Sequence, residues 1–178
     1  IDACLTAGVS YVDIANEWAA VRGLLDRDEQ ARTHAVALVT GAGFGPAATE
    51  TLVLRLAGRS ATAPAGVRVA AAAEVTSRSN GVRQTIQEAM SQGAVTYRDG
   101  QVVRDALGSG ATVLTFGGAQ RQMLPGPVGD LETARLASRA ANVVAYIANP
   151  AAPPSSGGAG SYTWAEVTGP DGHIAIAE

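Results

Sequence analysis

The spacing of apolar positions along the chain switches between a period of two and a helical period several times. IDACLTAG (1–8) has the look of the last turns of a helix, closed by Gly8. VSYVDIA (9–15) carries the β-branched and aromatic content of a strand. In EWAAVRGLLDRDEQARTH (17–34), Trp18, Val21, Leu24 and Leu25 fall on one side, which predicts a helix through residues 18–32. AVALVT (35–40) is short and largely apolar, the pattern of a strand inside a parallel sheet. After Gly41, Gly43 and Gly45, Pro46 suits the first turn of a helix that continues through Leu56. Helix and strand therefore alternate, which predicts 9–15 and 35–40 as adjacent parallel strands joined by a right-handed crossover.

The rhythm changes beyond Gly66. VRVAAAAEV (67–75) is a candidate strand, and NGVRQTIQEAMSQG (80–93) a helix with Val82, Ile86, Ala89 and Met90 as its buried stripe. AVTYRDGQVVRD (94–105) predicts a hairpin turning at Asp99-Gly100, followed by the strand ATVLTF (111–116). A helix over 130–139 precedes the strand NVVAYIA (142–148). PAAPPSSGGAG (150–160) has the composition of a flexible loop, and SYTWAEVTGPDGHIAIAE (161–178) that of a second hairpin around Pro170 to Gly172, with Trp164 in a core or an interface. The expected fold is α/β: the C-terminal part of a Rossmann-type parallel sheet over 1–60, then an α+β domain over 61–178 with a mixed or antiparallel sheet and helices on one face.

Composition narrows the function classes. At 47% hydrophobic and 16% charged, the 178 residues have the make-up of a folded domain, or of parts of two. The net charge is −3, and the basic residues, all arginine, form no run, which argues against nucleic acid as a partner. The missing lysine, beside abundant Ala, Gly and Val, reads as coding bias. Cys4 is the single cysteine, so no internal disulfide forms and a reducing cytoplasm is the expected compartment. No apolar segment approaches the ~20 residues of a membrane helix, and no signal peptide opens the chain. A domain seldom starts in mid-helix, so a preceding N-terminal part is expected.

Candidate chemistry concentrates around the glycines. Gly43, Gly45 and Ala48 satisfy G-x-G-x-x-A between a strand and a helix, where backbone amides offer an anion site. A complete dinucleotide fingerprint also needs an acidic strand end about 20 residues further on. The only candidate, Glu74, comes roughly 30 residues on, after a Pro/Gly-rich break, and Pro46 removes one of the amides. The turn is open to three readings: a phosphate loop, a packing turn without ligand, or a later turn of the same kind of fold. Asp13 and Glu17 sit at a strand end and the next helix start, where open α/β sheets collect ligands; capping and helix-start charge are their structural alternatives. Asp13 shares a strand face with Tyr11, and Thr49 and Glu50 lie in the first turn after the glycines. Arg78, Ser79 and Asn80 suit an anion or a plain N-cap by Asn80. His34 falls at a helix C-terminus and His173 after a turn; with one cysteine they make no typical zinc site, and no metal is expected. No G-x-S-x-G elbow is present.

Ala3, Cys4, Ala7, Gly8, Tyr11, Asp13 and Glu17 match A-C-x-x-A-G-x-x-Y-x-D-φ-x-G-E (φ apolar), and Gly41, Ala42, Gly43 and Phe44 match the start of G-A-G-F-D-x-x-P-x-D. With these two elements the chain resembles the saccharopine dehydrogenase-like family of nicotinamide-dependent oxidoreductases. Glu50 stands where the family has Asp; Asn16 replaces a Gly, Gly45 an Asp and Ala48 a Pro, the mark of a divergent subgroup. SNGVRQTIQEAMSQGAV, GDLETARLA and YTWAEVTGPDG extend the resemblance over the second part.

The resemblance implies NADP or NAD as cofactor and hydride transfer to or from a small organic substrate, enoyl reductase relatives included. It implies that Gly41, Gly43 and Phe44 lie near the nicotinamide, and that Tyr11, Asp13, Asn16, Glu17, Thr49 and Glu50 are substrate-pocket candidates. No catalytic residue is singled out. It further implies that the pyrophosphate loop precedes Ile1, that a closing segment follows Glu178, and that the second part supplies a substrate wall and a candidate homodimer interface. The competing class is a non-catalytic binding or dimerisation module.

Overall fold

The computed structural model describes residues 1–58, 62–73, 80–152 and 160–178. Glu74, Arg78, Ser79, the Val82 side chain and most of the 150–160 segment fall outside the described residues. The short helix α1 (Asp2–Ala7) stops at Gly8, whose φ of 65° is left-handed. The strands β1 (Tyr11–Val12) and β2 (Leu38–Val39) pair in parallel, with Tyr11 opposite Leu38 and Val12 opposite Val39. The ladder is shorter than the apolar runs, although Tyr11 N–H to Ala37 O and Asp13 N–H to Val39 O extend its hydrogen bonds by a residue.

The crossover between them differs from the single helix predicted over 18–32. It is two helices, α2 (Trp18–Leu25) and α3 (Asp28–Thr33). At the break, Asp26 is held by Arg22 Nε at 2.9 Å, while Arg27 pairs with Asp2 of α1. The glycines then lead into α4 (Pro46–Ala57), with Pro46 in its first turn as expected.

The remaining strands form one eight-stranded mixed sheet: β3 (Gly66–Ala73), β4 (Ala94–Arg98), β5 (Gln101–Asp105), β6 (Thr112–Phe116), β7 (Ala119–Pro125), β8 (Val143–Ala148), β9 (Ser161–Thr168) and β10 (Ile174–Ala177). Their main order is β10-β9-β3-β8-β4-β5, and β7 shares an edge of β8 with β4 and carries β6 outside it. β3 and β8 are parallel, and the other pairs of this sheet are antiparallel. The β4–β5 turn lies at Asp99-Gly100, with φ of 50° and 76° as a two-residue hairpin requires. The hairpin partner β7 is absent from the sequence reading. Its Gln120 and Gln122 alternate correctly, but the intervening Arg121 is buried, between the Phe116 and Tyr162 rings.

Helix α5 (Asn80–Ser91) leaves Ile86, Ala89 and Met90 half-buried rather than fully covered. Helix α6 (Asp130–Ser138) lies beside α4, and both pack on the sheet. On that face Val67, Val69, Val143, Ala165 and Val167 meet Val53, Leu131, Ala134 and Trp18. On the other face Ala70, Tyr146 and Trp164 meet Leu114, Phe116 and Met123 of the β6–β7 hairpin, so Trp164 is a core residue. The architecture is mixed α/β, with six helices among the described residues, none long and apolar enough to cross a membrane.

Candidate functional site

The carboxyl ends of β1 and β2 are tied together by one side chain. Asp13 Oδ1 accepts from Ala15 N–H (3.0 Å), Thr40 Oγ1 (2.8 Å) and Gly41 N–H (3.2 Å). Partial burial pushes its carboxyl up, but these bonds, with that from Tyr11, outweigh it and leave the group below its ordinary value. Tyr11 is pushed up in turn, first by its hydrogen bond to Asp13, then by burial. Asp13 is therefore a carboxylate that shapes the glycine turn. The turn needs its glycines: Gly41 has φ of 67° and Gly45 of 103°, both strained for any other residue. Gly43 differs: a Cβ there would stand 3.1 Å from Ile14 Cβ, which would have to give by a few tenths of an ångström.

The predicted residues divide into two groups. Tyr11, Asp13, Gly41 and Gly43 gather at the strand ends, with Phe44 half exposed beside them. Asn16, Glu17 and Thr49 instead face the entry to α6, which sequence reasoning missed. There the chain crosses itself: Gly129 N–H donates to Asn16 O (2.8 Å), Trp18 N–H donates to Pro127 O (2.9 Å), and Glu17 bridges Val128. Glu17 is the N-cap residue of α2, its carboxylate accepting from Asn16 N–H at 3.1 Å. Thr49 is fully buried, its hydroxyl 2.9 Å from both Gly45 O and Asp130 Oδ1. Glu50 has no hydrogen bond or ion pair among the described residues, and burial raises its carboxyl pKa.

Two carboxylates at the start of α6 complete the region. Asp130 is 2% exposed and pushed up to about 6, by burial first, against the lowering effect of Thr49. Thr49 Oγ1 lies within donating distance of both Asp130 Oδ1 and Gly45 O, and its one proton serves one of them at a time. Asn16 Oδ1, enclosed nearby, has no hydrogen-bond partner among the described residues, and a Cβ on Gly129 would come within 3.3 Å of it. Glu132, fully buried, accepts from Trp18 Nε1 (2.9 Å), Tyr97 OH (2.5 Å) and Arg135 Nε (3.1 Å). Both had the signature of ordinary helix-start charges. Distant elements bury them: Thr49 of α4 against Asp130, and Trp18 and Tyr97 against Glu132.

His34 lies exposed at the end of α3 and His173 exposed after the last turn. Among the described residues, no cluster of three or more His, Cys, Asp or Glu side chains is placed to hold a metal ion. The chain matches no protein-family model, and no curated protein is significantly similar to it.

Proposed function

We propose that this chain forms the nicotinamide-side part of an NAD(P)-dependent oxidoreductase of the saccharopine dehydrogenase-like kind, acting on a small organic substrate. The observation that carries this reading is the glycine turn itself. It closes a parallel strand pair at its carboxyl ends, is held by the strand-end carboxylate of Asp13, and opens a helix. Open α/β sheets bind their ligands at such ends. On this reading the ring lies against the Gly41 to Phe44 backbone, and Glu50, half-buried one turn into α4, is a substrate-pocket candidate. The cofactor supplies the hydride, and the protein orients it and excludes water.

A second observation supports a Rossmann-type sheet larger than the two described strands. Val12, Ile14 and Val39 are 66%, 77% and 46% exposed, an apolar face that parallel sheets ordinarily cover on both sides. A preceding strand–glycine loop–helix unit seated on this face would bring the pyrophosphate-binding amides. The gene's full product should then bind NADPH or NADH saturably at micromolar levels, followed by cofactor fluorescence, with Gly43→Val weakening binding or turnover without unfolding. The 178 residues alone should not bind. Saturable binding by this chain alone would move the phosphates to Gly43, Gly45 and Ala48. No binding by the full product would leave a non-catalytic binding module as the better reading.

A further inference from the structure

Gly45 is the residue through which the glycine turn passes into α4, in a conformation, φ 103°, that favours glycine. Two side chains from distant segments meet over it. A Cβ on Gly45 would lie 3.3 Å from Asn16 Nδ2 and 3.5 Å from Asp130 Oδ2. The Gly45 carbonyl accepts from the Thr49 backbone N–H and lies 2.9 Å from the Thr49 hydroxyl.

That hydroxyl has one proton and several acceptors. Asp130 Oδ1 and Gly45 O are both 2.9 Å away, and Pro46 O, at 3.2 Å, is the more distant competitor. Thr49 is fully buried and Asp130 nearly so, which leaves the choice to the protein rather than to water. An ionised carboxylate is the strongest acceptor of the three, because charge-assisted hydrogen bonds are roughly twice as strong as neutral ones. A protonated carboxyl is a poorer acceptor than an amide carbonyl. The enclosed Asn16 Oδ1, with no partner among the described residues, is an acceptor beside the cluster and favours an added proton there over a charge.

The other charged groups on the elements packed against α6 are engaged elsewhere or exposed. Arg22 is held by Asp26, Tyr97 and Glu132, and Arg135 by Glu132. Arg68 pairs with Glu166, Glu17 accepts from the Asn16 N–H, and Arg55 is exposed. Glu50, beside Thr49 on α4, is raised by its own burial. Burial acts on Asp130 first, and its opposing influences are the bonds from Thr49 and from its own N–H.

We propose that Asp130 and Thr49 form a proton-operated latch on the glycine turn. Ionisation of Asp130 sends its proton to solvent and draws the Thr49 hydroxyl from the Gly45 carbonyl to the carboxylate; protonation returns it. The exit of the turn is thus held at Gly45 O by two hydrogen bonds in the acid form and by the Thr49 N–H alone in the basic form. The latch belongs to the turn itself and is independent of the nicotinamide reading.

The test is NMR of the isotope-labelled 178-residue chain from about pH 4 to about pH 8, following the Asp130 carboxyl carbon and the Gly45 carbonyl carbon. Both should titrate with one midpoint at about pH 6. In Thr49→Val the Asp130 carbon should titrate at a higher pH, since a bond that lowers it is gone, while the Gly45 carbon stays flat. Thr49→Ser keeps the hydroxyl and should keep the Gly45 step, as should Glu50→Gln. Asp130→Asn should abolish it. The latch is refuted by a flat Gly45 carbon in the wild type, in Thr49→Ser or in Glu50→Gln. A Gly45 step that survives Thr49→Val or Asp130→Asn, or an Asp130 carbon that does not titrate in this range, would refute it equally.

Discussion

Asp130 shows how far a residue's surroundings can depart from its local sequence. In GDLETARLA it is an acidic residue in the first turn of a helix, where a negative charge is ordinarily favourable and solvated. In the fold it is enclosed by Thr49, Gly45 and Asn16, and its pKa rises to about 6. A folded pKa above the ordinary 3.8 means that the native state holds the extra proton between those values. The stability linked to the neutral form is complete below about pH 4 and is lost as pH rises through about 6, a total on the order of 3 kcal/mol. Asp130→Asn keeps an acceptor oxygen for the Thr49 hydroxyl and removes the titration. The variant should therefore exceed the wild type in stability by up to about 3 kcal/mol at pH 8 and lose that advantage at pH 4, as read from urea unfolding at both pH values. A difference between the two proteins that is the same at both pH values would show that Asp130 does not titrate between them. The strand-end position of Asp13 was legible, but not its bonds to Thr40 and Gly41, which lie 27 and 28 residues further on. Glu132 was not, because all its partners except Arg135 lie far away in sequence, at Trp18, Arg22 and Tyr97.

Elements whose ends are set by local turn chemistry were the readable ones. Gly8 closes α1, Pro46 opens α4, and Asp99-Gly100 turns β4 into β5, each through backbone preferences that a few residues specify. The break between α2 and α3 was hidden because neither a glycine nor a proline stands at Asp26-Arg27 to mark it. The β6–β7 hairpin has its turn signal in Gly117-Gly118, but the buried Arg121 interrupts the apolar face expected of a covered strand. The contact between α2 and the entry to α6 was equally hidden, and it depends on a missing side chain. Gly129 has an ordinary helical φ of −60°, yet a Cβ there would stand 2.8 Å from Val21 Cγ2. Gly129→Ala should therefore destabilise the protein by about 1–3 kcal/mol through crowding alone. Pairing it with Val21→Ala should recover part of the loss in a double-mutant cycle; strictly additive effects would place the cost elsewhere.

On the scale of the molecule, residues 16–18 stitch the parallel strand pair to the mixed sheet through residues 127–129, while α4 lies on both α6 and β9. The sequence predicted a parallel pair, then a mixed sheet with hairpins, and both are present. It did not reveal how the two parts meet, because that surface combines a backbone crossing, two helix-start acids, and Trp18 and Val53 packed against the mixed sheet. The proposed function puts the nicotinamide at the glycine turn, at the carboxyl end of β2. Backbone amide NMR of the gene's full product, titrated with NADPH or NADH, tests that placement most directly. The predicted result is that the largest shifts fall on Asp13 to Glu17 and Gly41 to Phe44, with Arg22, Leu38 and Leu136 unmoved. Shifts centred on Arg22, Leu38 and Leu136, or none at the glycine turn while the cofactor is bound, would contradict the proposal.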